Sequence, residues 1–226
     1  MRRMSTIITV QGHFSAWYPA ERATVQLSVT ADGPRREEVL SSATRSVQIV
    51  TDSVKALHDP DAGPVTWWSS DRIRVWAHRP WNNQGKQLAP VHNASISFSV
   101  KFKDFDALSE WLAQVTNVPG VQVNGIDWDL THAKRATVTT EVRSRAVRDA
   151  ADKARVFAQA IGLGEVTAVA IADPGMLGVR GDGTDPAPSM MRAASFAAPS
   201  PEVAAFDFTP EDIHVSASVD ARFEAS

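Results

Sequence analysis

Residues 141–169 read EVRSRAVRDAADKARVFAQAIGLGEVTAV, and this stretch decides the fold. Its apolar residues recur at steps of three and four, which places them on one face of a helix. They are Val142, Ala146, Ala150, Ala154, Phe157, Ala158 and Ile161. Because most of this face is alanine, the helix can lie close against a sheet. Gly162 and Gly164 then supply a helix stop, where a left-handed backbone favours glycine.

The rest of the chain adds strands and two more helices. Apolar runs or clean alternation predict strands at 5–12, 23–30, 65–78, 94–103, 121–130, 165–172 and 212–223. One helix is predicted after Gly33, and another after Asp104, whose side chain can cap it. We expect the long helix to begin between Lys134 and Glu141, because that interval contains several threonines, which are poor helix formers.

The order of these elements predicts an α+β fold with largely antiparallel sheet and three main helices packed on one face. The expected domain is single, spans residues 5–223 and can be divided into two lobes. Within 121–130 the apolar parity changes at Gly125. This change predicts a β-bulge, a positive φ at Gly125 and poor tolerance of Gly125→Val.

A long loop rich in Gly, Pro, Ala and Ser is predicted at residues 173–210, before the last strand. A loop of this length inside a compact domain is either functional or disordered. Its methionine and phenylalanine residues favour a contact, because these side chains fill irregular grooves. We therefore predict that residues 190–208 dock on their own chain or on a neighbouring subunit.

Composition excludes several classes of protein. The net charge is −3 with both signs interspersed, so no basic face favours nucleic acid, and without cysteine there is no disulfide or thiolate chemistry. No window is long enough for a membrane span. The N-terminal residues MRRMSTIITVQG lack the apolar core of a signal peptide, so we expect a soluble, cytoplasmic protein.

Four stretches, taken in order, resemble the SIMPL domain family of bacteria, and the resemblance covers about residues 6–223. They are ITVQG at 8–12, ASISFSVKFKDF at 94–105, GIDWDL at 125–130 and AVRDAADKARVFAQAIGLGEV at 146–166. Trp128 stands where the family often has phenylalanine. We expect the chain to depart from the family in having no export signal.

The resemblance implies a limited set of properties. Members of the family are mostly secreted, periplasmic or envelope-associated, they are often linked to stress responses, and self-assembly into oligomers is reported for them. The family has no established catalytic residues, so the resemblance implies no site residue and no cofactor here.

Two pairs of side chains are candidates for chemistry. His78 and His92 can face each other across a hairpin as two metal ligands, or they can be exposed residues at strand ends. Asp127 and Asp129 share one face of a strand, which suits general acid–base work but is also typical of a solvated face. We favour the second interpretation for both pairs, and the sequence contains no established catalytic motif.

The tryptophans are the most informative feature for function. Trp67, Trp68, Trp76 and Trp81 cluster in one predicted hairpin. Because adjacent residues of a strand face opposite ways, Trp67 and Trp68 cannot enter the same core, and we expect one of them on a second buried surface. The predicted subunit or ligand contact consists of Trp67, Trp68, Trp76, Trp81, Met190, Met191 and Phe196.

Three functions are compatible with this sequence. The first is a non-enzymatic scaffold or binding protein that forms homo-oligomers and uses no cofactor. The second is a module that binds a small ligand or carbohydrate through the tryptophan hairpin. The third is an enzyme of unrecognised mechanism that relies on the aspartates and histidines. We rank the scaffold first.

Overall fold

The computed structural model describes residues 5–177 and 209–226. Within them the chain forms β1 (Thr6–Tyr18), β2 (Arg22–Gly33), α1 (Arg36–Leu57), β3 (Val65–Ser70), β4 (Arg74–His78), β5 (Val91–Phe102), α2 (Phe105–Val115), β6 (Val121–Asp129), α3 (His132–Ala160), β7 (Val166–Ala172) and β8 (Ile213–Ala225). The strands pair antiparallel, which confirms the predicted α+β class. Two compact units result, one with β1, α3, β7 and β8, the other with β2–β6, α1 and α2.

The first unit contains the small sheet, whose strand order among the described residues is β1-β8-β7. After Leu177 the described chain resumes at Thr209 and forms β8, which pairs with β7 over Val166–Ala172. One face of this sheet is apolar and lies under α3. The buried residues between them are Ile8, Val10, Ala146, Ala150, Ala154, Ala158, Val219, Ala221, Phe223 and Ala225.

The end of α3 follows the prediction made from its glycines. Gly162 has a φ of +79°, the left-handed conformation expected after a helix. The N–H of Gly162 donates to the carbonyl of Gln159 at 3.0 Å, and the N–H of Leu163 donates to the carbonyl of Ala158 at 2.9 Å. These two bonds satisfy carbonyls that the last helical turn would otherwise leave open.

The start of α3, at His132, is earlier than the predicted interval. The hydroxyl of Thr137 donates to the carbonyl of Ala133 at 3.0 Å, and the hydroxyl of Thr139 donates to the carbonyl of Arg135 at 2.7 Å. Because each threonine hydroxyl finds an acceptor inside the helix, the low helix propensity of these residues does not end it.

The buried stripe of α3 is narrower than predicted. Phe157 and Ile161 are 53% and 58% exposed, so their assignment to the core was wrong. The residues that α3 buries are Val138, Val142, Ala146, Ala150, Ala154 and Ala158, a single row at four-residue steps. A row of small residues lets the helix axis approach the sheet, which leaves the flanking side chains outside the contact.

The second unit contains the large sheet, with strand order β3-β5-β2-β6 and with β4 also pairing with β5. β2 pairs along one edge of β5. β3 and β4 pair one after the other along its opposite edge. The helices α1 and α2 cover one face over a core built around Leu27, Phe98 and Phe102. The capping role expected for Asp104 is confirmed, because its carboxylate accepts the N–H groups of Asp106 and Ala107, both at 3.0 Å.

Two details of the large sheet differ from the sequence-based expectation. The single strand predicted at 65–78 is divided into β3 and β4, and Ile73 in the gap packs against the core. The predicted bulge in β6 is confirmed, because the register shifts where Gln26 and Leu27 pair with Gly125 and Val123. The positive φ expected at Gly125 was wrong, since Gly125 is not among the glycines with positive φ.

Much of the predicted loop at 173–210 lies outside the described residues. Met190, Met191 and Phe196 fall there, as does the predicted docking of residues 190–208. Among the described residues, none of the helices has both the length and the apolar character needed to cross a bilayer.

Candidate functional site

The tryptophans of β3 point to opposite faces of the large sheet, as predicted. Trp68 pairs with Val100 and packs against the core beneath α1 and α2. Trp67 pairs with Lys101 on the other face and is 49% exposed. The described residues leave half of the Trp67 side chain accessible, so the second buried surface expected for one of the two rings stays a prediction, as a subunit contact.

The structure brings only two of the four predicted tryptophans to one surface. Trp76 pairs with Asn93, which has the same orientation on β5 as Lys101, so Trp76 and Trp67 share a face. Trp76 is also 49% exposed. Trp81 lies in the loop after β4, where it forms an isolated bridge with Gln87.

The sheet face that carries Trp67 and Trp76 has small, uncharged polar side chains in the middle of its two central strands. We call it the polar face. On β2 its residues are Thr24, Gln26, Ser28 and Thr30. On β5 they are Ser95, Ser97 and Ser99. Alternate positions of both strands are buried under the helices, so the polar face is the side that α1 and α2 do not cover.

Hydrogen bonds and ring contacts order this face. The hydroxyl of Ser99 donates to the Oε1 of Gln26 at 2.6 Å across the two central strands. The Nζ of Lys101 lies 5.8 Å from the ring centroid of Trp67, within reach of a cation–π interaction. At the other end, Asn93 Nδ2 donates to His78 Nδ1 at 3.0 Å.

The two histidines considered as metal ligands point away from each other. His78 pairs with Val91, whereas His92 pairs with Ala77. Because the two histidines thus occupy neighbouring rungs of the ladder, their side chains leave opposite faces of the sheet. In residues 5–177 and 209–226, no group of three or more His, Asp or Glu side chains is placed to hold a metal ion.

Asp127 and Asp129 share one face of β6, as the sequence predicts. They pair with Thr24 and Arg22, and an Oδ1 of Asp129 accepts the N–H of Leu130 at 2.7 Å. Asp127 is exposed at the rim of the polar face. Asp127 fits the solvated face favoured from the sequence, whereas Asp129 is half-buried and hydrogen-bonded.

A second surface, which the sequence analysis missed, lies where α3 runs along β1. The N–H of His13 donates to the Oδ2 of Asp149 at 2.8 Å, and the Nζ of Lys153 donates to the carbonyl of Gln11 at 3.0 Å. Lys153 also pairs with Asp149 at 2.7 Å. The hydrogen bond from Lys153, followed by the one from the His13 N–H, lowers the pKa of the Asp149 carboxyl.

These contacts fix which side of α3 faces the outer edge of β1. The N–H of His13 and the carbonyl of Gln11 point away from β8, since they bond to α3 instead. In an antiparallel strand, residues two apart orient their backbone groups alike, so Ile7 and Thr9 also present theirs to this edge. Among the described residues, no other strand pairs with β1 there.

Phe157 and Ile161 continue the same row of α3 at four-residue steps after Asp149 and Lys153. Each step advances about 6 Å along the helix and matches about two residues of strand. Because Asp149 bonds to His13 and Lys153 to Gln11, the same steps place Phe157 at the level of Thr9, and Ile161, the first residue after α3, at the level of Ile7. We call Ile7, Thr9, Phe157 and Ile161 the β1 shelf.

The signal for the β1 shelf was present in the sequence. The row 149, 153, 157 and 161 begins with two charged residues and ends with two large apolar residues. A row that is polar at one end does not belong to a core stripe along its whole length. The steps of three and four assigned Phe157 and Ile161 to the core, because the position of β1 beside the helix was unknown.

A comparison with models of protein families gives a match over most of the chain. The family model described as "SIMPL: Protein of unknown function (DUF541)" matches residues 8–223. A search of the curated proteins found no match to the chain.

Proposed function

The chain belongs to the SIMPL family, a family of unknown function, and we propose that it is a non-enzymatic scaffold that self-assembles through the β1 shelf. The observation that carries this proposal is the pairing of an open strand edge with an exposed apolar row. Edge strands offer unpaired N–H and C=O groups that readily accept another strand. Here Phe157 and Ile161 add apolar area beside that edge.

The edge of β1 is covered in its middle and open at its start. Asp149 and Lys153 occupy backbone groups of His13 and Gln11, and polar side chains in this position hinder strand addition. The backbone groups of Ile7 and Thr9 have no such cover from the described residues. A partner strand can therefore hydrogen-bond to the backbone of Ile7 and Thr9, next to the apolar end of the α3 row.

A second copy of the chain is the partner that fits this surface. In a twofold contact the same patch serves both subunits, so each must be complementary to itself. Antiparallel pairing of two β1 edges meets this condition for the backbone groups of Ile7 and Thr9. The side chains of Phe157 and Ile161 carry no charge, so two copies approach without repulsion.

The test is the molar mass in solution of the double variant Phe157→Lys/Ile161→Lys. We expect the wild-type chain to have a mass above the 24.5 kDa of one copy, and the double variant to have the mass of one copy. Lysine is a good helix former, so α3 is expected to persist, which circular dichroism checks.

The matched control is Val156→Lys. Val156 is 61% exposed on α3, but it lies outside the row that faces β1. The proposal requires that this control keeps the wild-type mass. A wild-type chain that stays at the mass of one copy at all concentrations overturns the proposal, and so does equal dissociation in the control and in the double variant.

A further inference from the structure

The centre of the polar face is a patch of short polar side chains. Seven outward positions in the middle of β2 and β5 carry hydroxyl or amide groups and no charge. The charged outward residues of these two strands, Arg22, Asp32 and Lys101, lie toward the strand ends. Six of the seven are serine or threonine, whose short side chains make a flat surface with many hydrogen-bond donors and acceptors.

Some polar groups of this face make no hydrogen bond to a described residue, and one of them is fixed in position. Ser99 fixes the Oε1 of Gln26 at 2.6 Å. In the part of the chain that the structure describes, the Nε2 of Gln26 makes no hydrogen bond, so its two donors remain for a ligand. Ser97 is exposed in the middle of the face and makes no side-chain hydrogen bond to a described residue.

Trp67 and Trp76 stand at the two ends of this face, along the same edge of β5. Their partners Lys101 and Asn93 are eight residues apart on β5, a distance of about 26 Å at 3.3 Å per residue. An indole ring that is half exposed offers a flat apolar surface with a polar N–H at its edge. Sugar rings have this same combination, because their C–H faces are apolar and their edges carry hydroxyls.

The charges around the face favour a neutral ligand. Around the uncharged centre, Arg22, Asp32 and Lys101 lie toward the ends of β2 and β5, and Arg74 and Asp127 lie on the flanking strands β4 and β6. A polyanion such as nucleic acid is bound by clustered basic groups, and an acidic or basic peptide is bound by opposite charge. The uncharged centre matches a polymer that is rich in hydroxyls and carries no net charge.

We propose that the polar face binds an extended neutral glycan that runs along β5, with one sugar stacked on Trp67 and another on Trp76. The hydroxyl and amide groups between them bond to the sugar hydroxyls. This binding uses the second unit alone and does not depend on self-assembly through the β1 shelf.

The test is binding of neutral polysaccharides and their oligosaccharides to the full chain. Affinity electrophoresis in gels that contain β-glucan, xylan, mannan or dextran identifies a polymer that retards the protein. Calorimetry with the hexasaccharide and the disaccharide of that polymer then measures affinity. We expect the hexasaccharide to bind at least about tenfold more tightly, because the disaccharide cannot reach both tryptophans.

The variants Trp67→Ala and Trp76→Ala are each expected to weaken hexasaccharide binding about tenfold, as the loss of one stacking contact does. The matched control is Trp81→Ala, since Trp81 is also exposed but lies in the loop beyond β4, and its binding should equal wild type. Retardation by none of the four polymers overturns the proposal. It is also overturned by equal loss in all three variants, or by tight binding of oligothymidylate that the same tryptophans support.

Discussion

Gly12 is the residue on which the close packing of α3 depends most directly. A Cβ at this position would overlap the carbonyl oxygen of Ala146 and lie 2.8 Å from the Cβ of Ala150. Because the nearest atoms belong to the helix backbone, α3 would have to move away from β1. Gly12 and the alanine row of α3 therefore both allow the helix to pack close to β1.

We expect Gly12→Ala to lower the free energy of unfolding by about 3 kcal/mol, the upper end of overpacking costs. Urea denaturation measures this loss. The control is Gly125→Ala, because a Cβ there meets nothing within 4 Å. The same open space removes the reason to expect that Gly125→Val is poorly tolerated. Equal denaturation midpoints for Gly12→Ala and wild type would contradict the packing described here.

Ala154 lies in the middle of the buried row, with no exposed surface. We expect Ala154→Leu to cost about 1–3 kcal/mol of unfolding free energy, since the added methylenes have no space between α3 and the small sheet. The matched control is Val156→Leu on the exposed side of the same helix. An unchanged midpoint for Ala154→Leu would remove this residue from the core.

Asp149 gives the stability a dependence on pH. Its pKa is lowered in the folded chain, so its contribution is present above the usual value of 3.8 and is lost as the pH falls through the lowered value. We expect Asp149→Asn to lower the melting temperature at pH 7 and to have little effect at about pH 2.

The control for Asp149→Asn is Asp152→Asn on the same helix. Asp152 pairs with Arg155 at the surface and makes no bond to β1. It is expected to leave the melting temperature nearly unchanged at both pH values, because exposed ion pairs contribute little. A loss that is equal at both pH values for Asp149→Asn would assign the effect to something other than its charge.

At the scale of elements, the first turn of α2 depends on Asp104. Its carboxylate accepts two N–H groups that the helix itself leaves without partners. We expect Asp104→Ala to cost about 1 kcal/mol, and Asp106→Ala in the same turn to cost less, because Asp106 does not accept these bonds. Thermal unfolding of both variants decides between a capping role and a general charge effect.

The elements were predicted well where periodicity and end signals agree. The glycine stop of α3, the Asp104 cap and the bulge at Gly125 each have a local cause that is visible in the sequence. The division of 65–78 into β3 and β4 has a cause outside the segment, because Ile73 turns toward a core that other elements build. The exposure of Phe157 likewise depends on how narrow the sheet contact of α3 is.

At the scale of the whole molecule, the sequence identified unusual residues better than it identified the surfaces that they form. It identified Trp67 and Trp76 as unusual, and the register of β5 places them on one face. It separated Trp67 from Trp68 by parity, but it did not show which of the two enters the core or that Trp81 lies off this face, because pairing partners decide which face a side chain leaves. The β1 shelf was missed for a similar reason, since it joins residues that are about 150 positions apart.

Asp149 and Lys153 bond to backbone groups in the middle of β1, and this cover limits the addition of further strands at the edge. A strand edge open along its whole length can recruit copy after copy into a fibril. In the assembly proposed above, the cover at Gln11 and His13 interrupts the edge of β1, so a partner strand cannot pair along its whole length. Acid removes the charge of Asp149 and so weakens its contacts with His13 and Lys153, which cover the edge. Prolonged incubation at low pH should therefore turn this assembly into fibrils that bind thioflavin T, and Asp149→Asn should form them at neutral pH.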